Sequence, residues 1–480
     1  MEYGGEVMKK FRLETDSIGT LEVPVDAYYG VQSLRGKNNF HITGYTLNST
    51  FITALAYVKK ATSIANYEAG VIEKDVAEAM VQAADEIIKG KFRDQFITDV
   101  IQGGAGTSMN MNMNEVIANR ANQILGGELG KYDRCHPNDH VNYGQSTNDV
   151  VPTAGKLTVQ MLIKDLVADL KYLYDILQKK GDEFDHVIKM GRTHLQDAVP
   201  IRLGQEFKAF SQPVLRDIKR ISSAVEELTY VNMGATAVGT GINADVEYVK
   251  NVVRILSEVT GFKFKQSGDL VDGTRNLDSF VWLSSALKTC AVNLSKTAND
   301  IRLMASGPKA GLAELLLPQQ QPGSSIMPGK VNPVIPEVLN QVCFQIFGND
   351  ITITKAAEAG QLELNVFEPV LFFNIFQSIE ILKNGIITFI ENCLKGIVAN
   401  EENCKEWVDR SVGIITALNP HIGYKNAAEI AKESIKTGVP VAEIVLHRGL
   451  LTKDELDVIL NPFEMTKPGI PGKELLKHIH

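Results

Sequence analysis

The sequence has no cysteine pair at metal-binding or redox spacing, no lysine- or arginine-rich run and no long uncharged apolar stretch. Each absence removes a class of protein. The five cysteines in 480 residues, Cys135, Cys290, Cys343, Cys393 and Cys404, are odd in number and include no Cys-x-x-Cys spacing, which favours buried, reduced thiols over a disulfide framework. A formal net charge of −8 without a basic cluster argues against nucleic-acid binding, and an anionic substrate must then be held by local charges. Nowhere do about eighteen uncharged apolar residues run together, and the first ten, with Gly4, Gly5 and Glu6, lack the apolar core of a signal peptide. A soluble cytoplasmic protein with no membrane partner is the expectation.

The chain is rich in apolar residues, at 44%, enough for a large core and two or three domains. Val159, Ile163, Leu166, Leu170, Leu173 and Leu177 recur at alternating four- and three-residue steps, the stripe of a long bundle helix. Phe280, Leu283, Leu287, Cys290, Leu294 and Ile301 repeat the pattern, and residues 366–390 are apolar almost all round, as in a helix buried in a multi-helix or intersubunit core. Two shorter helices are predicted at about 48–70 and 73–90, each opening on polar or acidic residues and closing at a glycine. Ahead of them, alternation around Asp16-Ser17-Ile18-Gly19 suits a short hairpin over residues 11–24. The reading is mainly α: residues 1–145 as a small N-terminal domain, 146–400 as a central long-helix bundle and 401–480 as a small C-terminal helical domain.

Four polar stretches interrupt this framework. Gly103-Gly104-Ala105-Gly106-Thr107-Ser108 is a glycine-rich turn running into a helix that ends near Gly126; it is either a plain cap or a place where free N–H groups meet an anion. Ser146, Thr147 and Asn148 precede the first long stripe and fit equally a helix cap or a set of donors. Residues 191–200 place Thr193 beside His194 in a loop between two helices. The fourth, Gly323-Ser324-Ser325-Ile326-Met327-Pro328-Gly329-Lys330-Val331-Asn332-Pro333, cannot be a regular helix; it combines two hydroxyls, a cation and an amide, groups suited to a carboxylate. Gly307, Gly311 and Pro318 predict an irregular, mobile approach to it. His136, Asp139 and His140 lie close together, but no further ligand converges on them and no metal site is assigned.

The last stretch resembles the signature loop of the aspartase/fumarase superfamily, lyases that eliminate ammonia, water or an amine to leave fumarate, and the resemblance runs from about Asp16 to about Gly438. It implies a helical bundle and a homotetramer whose active sites each draw on three subunits. It also implies that Ser324 is the base that takes a proton beside a carboxylate, with the loop closing over the substrate. Thr107, Ser146, Thr147, Asn148, Thr193, Ser325, Lys330 and Asn332 would bind substrate, and His194 would contact it and help place the leaving group. Residues 238–244 match a segment that walls the pocket, and His136-Pro137-Asn138-Asp139 resembles a peripheral dicarboxylate site of fumarases. The Gly-Gly-Ala-Gly-Thr-Ser form resembles the aspartase branch, whereas His194 is the fumarase-like residue. Elimination moves a proton and a leaving group, so no redox or group-transfer cofactor is required; activation by a divalent cation stays open.

Overall fold

Five long helices dominate: Thr147–Glu183, Leu203–Glu227, Asp278–Met304, Val334–Glu358 and Glu368–Asn392. The first has 37 residues, about 55 Å at the helical rise. The structure is a computed structural model that describes residues 10–323 and 325–476. Every residue of the two stripes read from the sequence is buried, from Val159 to Leu177 and from Phe280 to Ile301. The helix Glu368–Asn392 buries Leu371, Ile375, Ile379, Leu382 and Ile386 at the three- and four-residue spacing of one face. By length and composition alone it is apolar enough to cross a membrane, and 56% of that apolar window is buried.

The chain divides into two compact units, and their boundaries fall inside these five helices. Unit 1 comprises residues 1–168, 219–291 and 344–383. It opens with the expected hairpin, Phe11–Thr15 against Thr20–Pro24, followed by the helix Val31–Asn39. That helix has no side-chain cap of its own. Glu115, buried on the helix Thr107–Ile124, takes the role from a distance by accepting from the amides of Gly30 (2.8 Å), Gln32 (2.9 Å) and Ser33 (3.0 Å). The two predicted shorter helices are Ser49–Glu68, capped by Asn48, and Lys74–Ile88. Phe372 gathers several elements of this unit: its ring lies 5.8 Å from Phe51 and 5.3 Å from Phe280, and a Cβ at Gly155 would collide with it.

Unit 2 comprises residues 169–218, 292–343 and 384–480. Its C-terminal helices enclose a cluster of Val408, Ile414, Leu418, Ile430, Val445 and Ile459. Residues 191–200, read as a loop, belong instead to an antiparallel hairpin, Ile188–Thr193 paired with Gln196–Arg202. The reason it escaped notice is its turn, His194-Leu195, which lacks the Asn-Gly or Asp-Gly signal of a two-residue hairpin. Met190 on this hairpin packs into the C-terminal cluster.

The approach to the signature loop is irregular, as expected, but it is pinned. Leu315–Leu316 pairs with Val398–Ala399, and the Leu312 carbonyl accepts from Asn403 (2.6 Å) and Trp407 (3.1 Å). All five cysteines are buried thiols, and burial pushes those of Cys135, Cys343, Cys393 and Cys404 up to about 12.

Candidate active site

The predicted site residues divide between the units: Thr107, Ser146, Thr147 and Asn148 in unit 1, and Thr193, His194, Ser325, Lys330 and Asn332 in unit 2. Ser324, the expected base, lies outside the described residues.

In unit 1 three successive residues, Gly104, Ala105 and Gly106, have positive φ (76°, 55° and 87°). This explains the glycine-rich turn, since a side chain is costly in that region. The turn delivers Thr107 as the first, exposed residue of its helix, where its hydroxyl donates to the Gly104 carbonyl at 2.7 Å. One turn further on, Asn110 donates its amide to Thr147 Oγ1 at 3.3 Å, linking the two polar stretches. Because Thr147 Oγ1 is the acceptor there, its own hydrogen is left to donate elsewhere.

Ser146 fulfils the cap reading: its Oγ accepts from the Asn148 amide (3.2 Å), while Asp149 accepts from the Ser146 amide (2.9 Å). The Ser146 hydroxyl likewise keeps its proton to offer. Asn148 donates to the Ala237 carbonyl (2.7 Å), next to the segment 238–244 that the resemblance makes a wall of the pocket. Gly239 in that segment has φ 94°, and a Cβ there would collide with the Val271 backbone.

Beneath these residues lies a polar network that the sequence reading missed. Lys59 is fully buried on the helix Ser49–Glu68 and donates to Asn142 Oδ1 and Gln145 Oε1, each at 2.9 Å. Asn142 Oδ1 also accepts from Asn110 and Asn114, both at 3.2 Å. Burial pushes the Lys59 ammonium down to about 7, and the charge of Asp149 opposes that shift. Burial in turn lifts the Asp149 carboxyl to about 6 against the hydrogen bonds it accepts from Ser146, Thr236 and Gly234. The available signal was Gln145 and Asp149, which flank the Ser-Thr-Asn run; Lys59 looked like any lysine on an amphipathic helix.

His136 is also occupied locally. Its Nδ1 accepts from the amides of Asn138 and Asp139 (3.2 Å each) at the start of a short π-helical turn, Pro137–Val141.

In unit 2 the hairpin presents Thr193 and His194 at its exposed tip. His194 and Leu195 have φ 55° and 59°, so two side-chain-bearing residues occupy left-handed positions at a cost of about 1–2 kcal/mol each. Local strain of this kind concentrates at working sites and is held by its surroundings. The signature loop is exposed from Ser325 to Asn332, with Ile326 at 84%. Gly323 is required at its start, because a Cβ there would overlap the Lys330 carbonyl oxygen. The loop closes with Lys330 N donating to Met327 O (3.1 Å) and Val334 N to Asn332 O (2.9 Å).

Unit 1 thus offers hydroxyl and amide groups at helix starts, and unit 2 an exposed Thr-His turn and a Lys-Asn loop, groups suited to an anionic ligand. Residues 19–348 match a family model described as lyase, and residues 414–467 match one described as fumarase C C-terminus. The chain belongs to the aspartase/fumarase superfamily. It is 57% identical to an aspartate ammonia-lyase of Bacillus subtilis over 98% of this chain and 99% of that one. A solved fumarate lyase:delta crystallin from Brucella melitensis, bound to cobalt, superposes with a TM-score of 0.93 at 47% identity over 96% of this chain and 100% of that one. A class II fumarase from Schistosoma mansoni gives 0.91 at 35% identity, again over 96% and 100%.

Proposed function

We propose that this chain catalyses the reversible elimination of ammonium from L-aspartate to give fumarate. The observation that carries the proposal is the 57% identity to aspartate ammonia-lyases along almost the whole of both chains. The Gly-Gly-Ala-Gly-Thr-Ser turn points the same way.

In this mechanism Ser324 removes a Cβ proton, and the adjoining carboxylate becomes an enediolate-like dianion. The proton is weakly acidic, so stabilising the developing charge dominates the barrier. Each preorganised donor at such an oxyanion contributes roughly 3 kcal/mol. Thr107, Ser146, Thr147 and Ser325 are assigned to that carboxylate, and the free hydroxyl hydrogens of Ser146 and Thr147 support the assignment. Asn148 sits beside them for the leaving group. Thr193, His194, Lys330 and Asn332 are assigned to the other carboxylate, with His194 also near the leaving amine. A serine hydroxyl ionises near neutrality only when donors and a cation surround its oxygen; Lys330, six residues on, is the candidate cation.

The reading extends to a cytoplasmic homotetramer with active sites shared among subunits, which would bring together stretches lying far apart in the sequence. No redox or group-transfer cofactor enters the reaction, and a divalent cation is a candidate activator.

The test follows fumarate absorbance with L-aspartate and with L-malate as separate substrates, using wild-type protein and Ser324→Ala. Fumarate from aspartate alone, lost in Ser324→Ala while assembly is retained, is the expected result. Fumarate from malate alone would make the chain a fumarase, the reaction for which His194 speaks. Substantial turnover by Ser324→Ala would place the base elsewhere, and inactivity on both substrates would leave a lyase fold without lyase activity.

A further inference from the structure

The strand leading to the Thr193–His194 turn carries two cations, Lys189 and Arg192. Three residues apart on a regular strand, they would point to opposite faces. The register shifts between Met190 and Arg192, where two residues of the partner strand, Ala198 and Val199, stand opposite Gly191, and the added local twist accompanies the convergence of both side chains on one carboxylate. Gly191 sits at the shift, where a Cβ would come within 2.6 Å of the Val199 carbonyl oxygen.

Both cations reach Glu314, a carboxylate with no exposed surface. Arg192 Nη1 bonds Glu314 Oε1 at 2.6 Å, and Lys189 Nζ lies 3.0 Å from Oε2 as an ion pair. Lys189 also bonds both oxygens of Glu206 at 3.0 Å, so two cations face two carboxylates. Glu314 is itself fixed by its backbone: its amide donates to Met304 O (2.8 Å), and its carbonyl accepts from Asn400 N (2.9 Å). Ser324 follows it ten positions along the chain.

We propose that Glu314 is a positioning residue for the substrate site, holding the Thr193–His194 turn through Arg192 and Lys189 while fixing the point from which the signature loop departs. The inference rests on the reading of Thr193, His194 and the loop as substrate contacts. A strained turn keeps its left-handed residues only if its stem cannot relax, and the paired charges clamp the stem at the bulge. Replacing Glu314 by an uncharged residue leaves buried Lys189 and partly buried Arg192 with Glu206 as the remaining carboxylate of the cluster, and the stem must shift or open to rehydrate them.

The experiment compares wild type with Glu314→Gln, a near-isosteric change that removes the charge and turns one acceptor oxygen into an NH2 donor, in the intact assembled protein. Steady-state kcat and KM for L-aspartate are measured alongside hydrogen–deuterium exchange. The expected result is a fall in kcat/KM of about a hundredfold, the scale of a roughly 1 Å misplacement, divided between kcat and KM. Exchange should rise in residues 188–202 and 317–333 while the helix Tyr424–Thr437 keeps its protection. Kinetic constants within about twofold of wild type overturn the proposal, as does a rise in exchange spread evenly over unit 2, which would mark a purely structural ion cluster. If Glu314→Gln does not assemble, Arg192→Gln is the second variant: it leaves Glu314 paired with Lys189, and the same kinetic and exchange outcomes decide. Wild-type protein inactive on L-aspartate would sink the functional reading by itself, whereas an active wild type with an indifferent Glu314→Gln sinks only the role of Glu314.

Discussion

Lys59 has no exposed surface, and its ammonium is satisfied by two side-chain amides. Its folded value of about 7 lies below its ordinary 10.5, so between those limits the unfolded chain holds a proton that the native chain gives up. Stability contributed at this position is therefore lowest below pH 7 and rises with pH through the window. Asp149 has the opposite sign, since its raised value of about 6 contributes stability at low pH that is lost as pH rises through 6. In Lys59→Met the basic-limb rise should vanish: whatever the offset at pH 7, the difference in thermal midpoint between wild type and variant should shift in favour of wild type as pH approaches 10. A difference that stays flat with pH would mean Lys59 is not the group responsible. None of this was legible in the sequence. Thr107 and the Ser-Thr-Asn run were visible because their chemistry is local, but a buried lysine is intelligible only through partners more than eighty residues away, Asn142 and Gln145.

Among the elements, the long helices were legible because a stripe at alternating four- and three-residue steps has one explanation, a face turned to the core. The hairpin Ile188–Arg202 was not, because its turn holds no glycine and its alternation is broken by a bulge. Close approach between helices was equally hidden. Gly204 is the second residue of the helix Leu203–Glu227, where a Cβ would overlap the Gly181 carbonyl oxygen and crowd the Asp185 backbone. Backbone cannot swing aside as a long side chain can. Gly204→Ala should therefore destabilise unit 2 by about 1–3 kcal/mol, the usual cost of overpacking, measurable as a lowered midpoint in chemical denaturation. An unchanged midpoint would show that the two backbones can separate without loss.

At the scale of the whole molecule, the helix Val334–Glu358 leaves Phe344 and Ile351 exposed at 58% and 66%, two turns apart on one face. Large apolar side chains at that spacing suit a second helix laid against them. On the homotetramer reading this stripe is an interface, and Ile351→Glu should shift the protein to smaller species in sedimentation velocity while its helical circular dichroism persists. A variant that sediments as wild type does would move the interface to another face. The buried thiols bear on every such experiment. Cys135 and Cys290 lie in unit 1, and Cys343, Cys393 and Cys404 in unit 2. A thiol-reactive dye added to the native protein should find almost nothing to label, so each modified cysteine timestamps an opening event and its position tells which unit opened. The chain carries its own set of unfolding clocks, to be read by peptide mapping with no engineered probe.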